Sequence, residues 1–314
     1  MAENTCKDLV IIGGGPAGLS AAIYAQRAML DAVTLEQQSF GGQVIQTSEV
    51  DNYPGVPHTD GFSLIEAMRT QAEDLGAELS IASVTSIIEA GDEGFTVGTS
   101  EGDIATRAVI LAAGAVPRHA GFEGEEAYVG RGVSYCATCD GMFYRGRDVF
   151  VIGGGNSAVE EALFLTRFAR HITLVVRKDH MRAQQTLVRE FEANAKTSVR
   201  YLTSITKVAG TMGITEVTFR NNEDGSETTE TFETPVGVFV LVGRVPASEL
   251  VRDLVDVTPT GFVKTDVSMA TKTPGLFAAG DVRDTPLRQI VCAASDGAIA
   301  ATSTAAFLGQ HVFD

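Results

Sequence analysis

The 314-residue sequence predicts an α/β fold of two three-layer domains, one inserted in the other. Three observations predict it. Residues 8–15 (DLVIIGGG) return as residues 148–155 (DVFVIGGG), in register and without a gap. Each copy leads into a helix-like stretch, 16–29 or 156–169, and then into a second apolar run, 31–36 or 171–176. Finally, two runs ending in glycine, VILAAG at 109–114 and VFVLVG at 238–243, are each followed by a Pro-containing segment. Two strand–glycine turn–helix–strand units of this kind are Rossmann-like.

The apolar runs are short and β-branched, which fits strands buried on both faces. The segments Ala115-Val116-Pro117 and Arg244-Val245-Pro246 read as crossings between domains. The first domain is then 1–116 plus 246–314, and the second, 117–245, is inserted within it. Paired linkers suit a hinge. The polar segments 91–106 and 208–233 read as small antiparallel insertions, and 221–230 (NNEDGSETTE) as a solvated turn.

Composition bounds the function. A chain of this length has room for two cores, at roughly 150 residues each. The formal charge is -16 and the pI about 4.7. Nucleic-acid binding needs a basic face, and an acidic surface is repelled by anionic membranes. No run approaches the ~20 apolar residues of a membrane span. Met1 to Lys7 carries no basic segment followed by a long apolar core, so a cytoplasmic location is expected. Structural disulfides are rare there. Of the four cysteines, Cys6 and Cys292 are isolated and are expected to be buried small apolar residues, and no metal site is expected.

Gly13-x-Gly15-x-x-Gly18 follows the first strand and opens a helix. The first glycine permits a tight turn, the second lets a pyrophosphate approach the backbone, and the third lets helix and strand pack closely. The helix N-terminus offers unpaired N–H groups to phosphate. Glu36, at the end of the next strand, can accept hydrogen bonds from ribose hydroxyls and would repel a 2′-phosphate, which fits FAD or NAD. Gly153-x-Gly155-x-x-Ala158 repeats the fingerprint, with Asn156 and Ser157 placed to reach a phosphate or cap the helix. The position matching Glu36 is Val176, and Arg177, Lys178 and Arg182 follow it. Three cations gathered in so acidic a chain point to a clamp for a 2′-phosphate, hence NADPH.

Cys136-Ala137-Thr138-Cys139-Asp140 is a C-x-x-C followed by a carboxylate. This spacing lets two sulfurs meet on one turn and close an exchangeable disulfide. A zinc half-site would need two further ligands, and no second C-x-x-C is present. Asp140, if its pKa is raised, can protonate a departing thiolate.

With these residues in view, the sequence resembles the low-molecular-weight thioredoxin reductases over nearly its whole length. The likeness rests on GGGPAG (13–18), GGQ (41–43), CATCDG (136–141), GGGNSAVEEAL (153–163), and LFAAGDV with RQ between 276 and 289. The resemblance implies a homodimeric enzyme passing electrons from NADPH through FAD to thioredoxin or a similar small protein. It implies that Gly13, Gly15, Pro16, Ala17 and Gly18 form the FAD pyrophosphate turn. Gly42, Gln43, Asn52 and Gly114 would lie on the flavin side, Asp281 on the ribityl or phosphate portion. Arg288, Gln289 and Ile290 would close over the ring, with helix 293–308 directing its N-terminus there. Ser157 and Glu160 would lie near the nicotinamide nucleotide. Cys139 would be nearest the flavin, Cys136 would attack the protein substrate, and Asp140 would be the acid.

The sequence also departs from the family. The His-Arg-Arg-x-x-x-Arg nucleotide motif reads Val176-Arg177-Lys178-x-x-x-Arg182, Leu287 replaces a common tyrosine, and Ala-Thr-Gly reads Ala112-Ala113-Gly114. Because disulfide and nicotinamide must each reach the flavin, rotation of the inserted domain about its linkers is expected. The alternatives left open are a flavin-dependent dithiol oxidase and a redox-sensing flavoprotein without turnover. A ferredoxin–NADP reductase of related fold would lack the cysteine pair.

Overall fold

A computed structural model describes residues 6–47 and 49–310. Most of the N-terminal segment read for an export signal lies outside the described residues. The chain divides into two compact units, 1–116 with 245–314, and 117–244.

The first unit begins with β1 (Lys7–Ile12), α1 (Pro16–Arg27) and β2 (Ala32–Glu36), followed by α2 (Gly61–Asp74) and β3 (Glu78–Ile81). Next come β4 (Val84–Glu89), β5 (Phe95–Thr99) and β6 (Gly102–Leu111). The first crossing forms β7 (Ala115–Pro117). The second unit holds β8 (Val133–Ser134), α3 (Ala137–Asp140), β9 (Asp148–Ile152), α4 (Asn156–Leu165) and β10 (His171–Val175). It continues with α5 (Gln185–Ala193), β11 (Thr197–Arg200), β12 (Thr203–Ala209), β13 (Ile214–Asn221) and β14 (Glu227–Val240). The return crossing is β15 (Arg244–Pro246), and the first unit closes with β16 (Leu276–Ala278) and α6 (Ile290–Phe307). β7 and β15 form a two-stranded ladder of their own.

The first unit's sheet runs β3-β2-β1-β6-β5-β4, with β16 added beside β6. β1 is parallel to β2 and β6, whereas β4, β5 and β6 are antiparallel. Strand alternation sends Leu9 and Ile11 to one face and Val10 and Ile12 to the other. The first face is covered by α1 and α6, the second by a layer that includes Val251, Val255 and Val263. Three layers result. α1 begins at a proline in its first turn, where the missing N–H has no helical partner anyway. α2 begins at Asp60, whose carboxylate accepts the Ser63 N–H at 2.8 Å.

The second unit repeats the plan. Its sheet runs β11-β10-β9-β14-β13-β12, with β8 beside β14. Val149 and Val151 face α4, while Phe150 faces the antiparallel side.

Several boundaries differ from the sequence reading. The polar insertions are hairpins whose last strands, β6 and β14, continue into the central sheet. The turn read at 221–230 is confined to 222–226, because Glu227 already pairs with Arg220. The second fingerprint helix stops at Leu165, where Thr166 Oγ1 donates back to the Leu163 carbonyl at 2.7 Å. α6 starts at Ile290, three residues before the expected start. By length and composition α6 could also cross a membrane, a possibility the sequence reading did not register. Its buried face is Ala293, Asp296, Gly297, Ala300, Ala301, Thr304 and Ala305, a helical repeat packed on α1. That packing marks a core helix. Cys6 is exposed and Cys292 half-buried, so neither is a core residue as expected. Cys6 precedes the first strand, and Cys292 sits on the first turn of α6.

Candidate active site

In the first unit the fingerprint turn is shaped by what cannot be there. Gly13 adopts φ +111°, and a Cβ on it would overlap the Ala112 carbonyl. A Cβ on Gly18 would overlap the Gly13 carbonyl, so strand and helix meet backbone to backbone. Gly15, the N-cap of α1, faces open space beside Pro16 and the buried Ala17. Pyrophosphate fits such a cradle: backbone N–H groups at a helix start, with no side chain in the way. Glu36 closes the turn, accepting the Gly14 N–H at 2.8 Å and the Gln38 N–H at 3.1 Å. Each carboxylate oxygen keeps a further lone pair for a ribose hydroxyl.

Gly42 and Gln43 begin a short 3₁₀ turn, and Gln43 Nε2 donates to the Ala115 carbonyl. Asn52 Nδ2 donates to Gln289 Oε1 at 3.0 Å, bringing together two candidates far apart in sequence. Gly114 takes φ +70°, and its carbonyl accepts the Ala247 N–H at 3.0 Å. The Arg288 guanidinium stacks 4.2 Å from the Phe262 ring centre, and Gln289 stands at the N-cap position of α6, ahead of Ile290. Asp281 is half-buried in the turn after β16. That turn is pinned by Asp296, which accepts the Gly280 N–H at 3.1 Å and pairs with Arg283 at 3.0 Å. The sequence reading missed this pair, for which a lone Asp within an apolar helix is the available signal. The Cys292 thiol is pushed up by burial and by Asp296 and Asp281, which keeps it protonated.

The second unit builds the same cradle with different edges. Gly153 takes φ +151°, its Cβ position blocked by Ala158 and the Leu241 carbonyl, and Gly155 again faces open space at the start of α4. Val176 occupies the place of Glu36: a Cβ on Gly154 would meet Val176, just as one on Gly14 would meet Glu36. Val176 is buried and offers no acceptor. Arg177, Lys178 and Arg182 are exposed, and none forms an ion pair among the described residues. Their loop is fastened to the fingerprint, since the Arg182 and Ala183 N–H groups donate to the Gly154 carbonyl at 2.6 and 3.1 Å. Asn156 Oδ1 accepts the Gln184 N–H at 2.8 Å, a loop-holding role the sequence did not indicate. Ser157 and Glu160 are exposed on α4.

The sulfur pair stands on α3, beside α4. Cys136 and Cys139 form a disulfide, with Cys136 half-buried and Cys139 exposed. Cys136 caps α3, and the Cys139 N–H donates to its sulfur at 3.2 Å. Such a donor favours a thiolate at Cys136 once the pair is reduced. Asp140 follows; burial pushes its carboxyl above the usual range, and a hydrogen bond with Ser134 partly offsets this. Ser134 is buried, and its hydroxyl also accepts the Cys136 N–H at 3.1 Å. Ala137 is fully buried, and its N–H donates to the Glu161 carboxylate of α4 at 3.0 Å. Ser134 and Glu161 were not singled out from the sequence.

This arrangement can hold two nucleotides and exchange a disulfide, and comparison with known proteins agrees. Residues 7–297 match the model of the pyridine nucleotide-disulphide oxidoreductase family. The chain is 43% identical over 309 residues to the thioredoxin reductase of Peptoclostridium litorale, covering 96% of this chain and 97% of that protein. It is 44% identical over 315 residues to the bifunctional thioredoxin reductase/thioredoxin of Mycobacterium leprae, covering 99% of this chain and 68% of that protein. The crystal structure of thioredoxin reductase from Streptococcus pyogenes superposes with a TM-score of 0.91 at 40% identity, over 98% of this chain and 99% of that one. The paired cradles, the disulfide and these likenesses lead to one assignment: the chain is an oxidoreductase of the pyridine nucleotide-disulphide family and belongs to the thioredoxin reductases.

Proposed function

We propose that this enzyme reduces the disulfide of thioredoxin, or of a similar small protein, with electrons from NADPH and with FAD as its cofactor. The observation that carries the reading is the Cys136–Cys139 disulfide set beside the helix of the second nucleotide cradle, with a protonatable carboxyl next to it.

FAD, when bound, supplies two-electron transfer between a nicotinamide and a disulfide. Gly13, Gly15, Pro16, Ala17 and Gly18 would hold its pyrophosphate, and Glu36 its ribose. Gly42, Gln43, Asn52, Gly114, Arg288, Gln289 and Ile290 would hold the flavin side, and Asp281 the ribityl or phosphate portion. For NADPH, Gly153, Gly155, Asn156, Ser157 and Glu160 would hold the nucleotide. Arg177, Lys178 and Arg182 would take the 2′-phosphate.

Reduction of the pair breaks the Sγ–Sγ bond with two electrons and leaves two sulfurs at the thiol level; Asp140, whose protonated carboxyl is favoured by burial, would give a proton to the sulfur that departs as thiolate. Cys136 then attacks one sulfur of the thioredoxin disulfide; its other sulfur departs and takes a proton. Cys139 gives up its proton and attacks Cys136 in the mixed disulfide; the bond from Cys136 to thioredoxin breaks as the Cys136–Cys139 bond re-forms, and the displaced thioredoxin sulfur takes up a proton, so that thioredoxin leaves as a dithiol. The two linkers are proposed to let the inserted unit rotate, so that nicotinamide and disulfide take turns at the flavin. The working form is proposed to be a homodimer, and a cytoplasmic location suits an exchangeable disulfide.

Stopped-flow absorbance tests the reading. NADPH should bleach the flavin faster than NADH, and oxidised thioredoxin should restore its colour. Replacing Cys136 and Cys139 by serine should leave bleaching intact and abolish thioredoxin reduction. Undiminished thioredoxin reduction by that variant would overturn the assignment.

A further inference from the structure

We propose that Glu161 is a positioning residue whose carboxylate, acting through the Ala137 N–H, sets the acidity of the Cys136 thiol. Glu161 projects from the helix that opens the second nucleotide cradle and accepts the Ala137 N–H at 3.0 Å. That N–H belongs to the peptide immediately after Cys136, in a turn whose Ala137 side chain is fully buried. Two devices therefore bear on one sulfur with opposite sign. The Cys139 N–H, donating to Cys136 Sγ, favours the thiolate. The Glu161 carboxylate brings negative charge to the same turn and disfavours it.

The surroundings make the charge matter. Burial pushes the Glu161 carboxyl up; the Ala137 N–H and Arg244 pull it down, and Glu160 on the same helix pushes it up again. On the sulfur side stand Asp140, reached through Ser134, and Tyr144, which feels the Asp140 charge. Little solvent screens a half-buried carboxylate this close to the turn. The consequence is a restrained nucleophile: a thiol held less acidic than its helix-cap position alone would make it, with a thiolate more reactive per molecule.

The inference rests on the reading of Cys136 as the attacking thiol, but its test needs neither NADPH nor thioredoxin. In the FAD-loaded Cys139→Ser enzyme, the rate of iodoacetamide alkylation at Cys136 is followed against pH by peptide mass spectrometry. Adding Glu161→Gln keeps an acceptor for the Ala137 N–H and removes the charge. The half-point is expected about one pH unit lower. Below it the thiolate fraction rises about tenfold while its intrinsic reactivity falls about threefold, so alkylation quickens about threefold. If the Gln variant fails to retain FAD, Glu161→Asp, which draws the charge back from the N–H, should shift the half-point in the same direction by less. An unchanged half-point in a folded variant would overturn the proposal. Absence of thioredoxin reduction by the unaltered enzyme, with the expected shift present in the variants, would count against the functional reading alone.

Discussion

Arg177 and Arg182 carry a prediction at the scale of single residues. Exchanging both for alanine should raise KM for NADPH by tenfold or more and leave KM for NADH nearly unchanged, because only one donor carries the 2′-phosphate they would bind. Steady-state kinetics with both donors checks this. Asp140 carries a second. Its carboxyl binds a proton more tightly in the folded chain than in the unfolded one, so folding weakens as pH rises from the ordinary carboxylate range through its raised pKa. Asp140→Asn should therefore raise the melting temperature at pH 7, and the difference should vanish near pH 3, where both states of the aspartate are protonated. Calorimetry at the two pH values decides it. The sulfur pair was legible in the sequence because its spacing is itself the signal. Glu161 was not. Two adjacent glutamates on a helix point about 100° apart, and nothing local says which one faces a turn 24 residues earlier.

At the scale of elements, the packing of α1 on α6 is the sharpest constraint in the first unit. A Cβ on Gly297 would overlap the Ala17 carbonyl. Gly297→Ala should cost about 1–3 kcal/mol, read as a lower urea midpoint, since the helices must part to admit a methyl group. No change in midpoint would show that the crossing yields freely. The two fingerprints were legible because a glycine turn between an apolar strand and a helix is a local pattern. The ends of the elements were not, because they depend on distant partners. Lys196 Nζ caps the Thr166 carbonyl at 2.8 Å just past the last turn of α4, and the reach of β14 depends on β9 and β13 together.

At the scale of the molecule, both sheets have the same strand order, and that likeness was foreshadowed by the repeat at 8–15 and 148–155. Domain rotation and dimerisation lie beyond any local pattern. Light scattering should give a mass about twice 33.1 kDa in dilute solution if the dimer is the working form. Dyes placed on the exposed turns at Glu101 and Glu223, with Cys6 and Cys292 exchanged for serine, should change their transfer efficiency when the enzyme is reduced. A single unchanging value would argue against alternation. The added strand of each sheet differs in origin: β16 arrives after the rest of its sheet, and β8 arrives before. During synthesis, once residue 244 has emerged from the ribosome, everything the inserted unit needs is free to fold. The surrounding unit still lacks β16 and α6, so its long first segment must wait, incomplete, while its guest matures inside it.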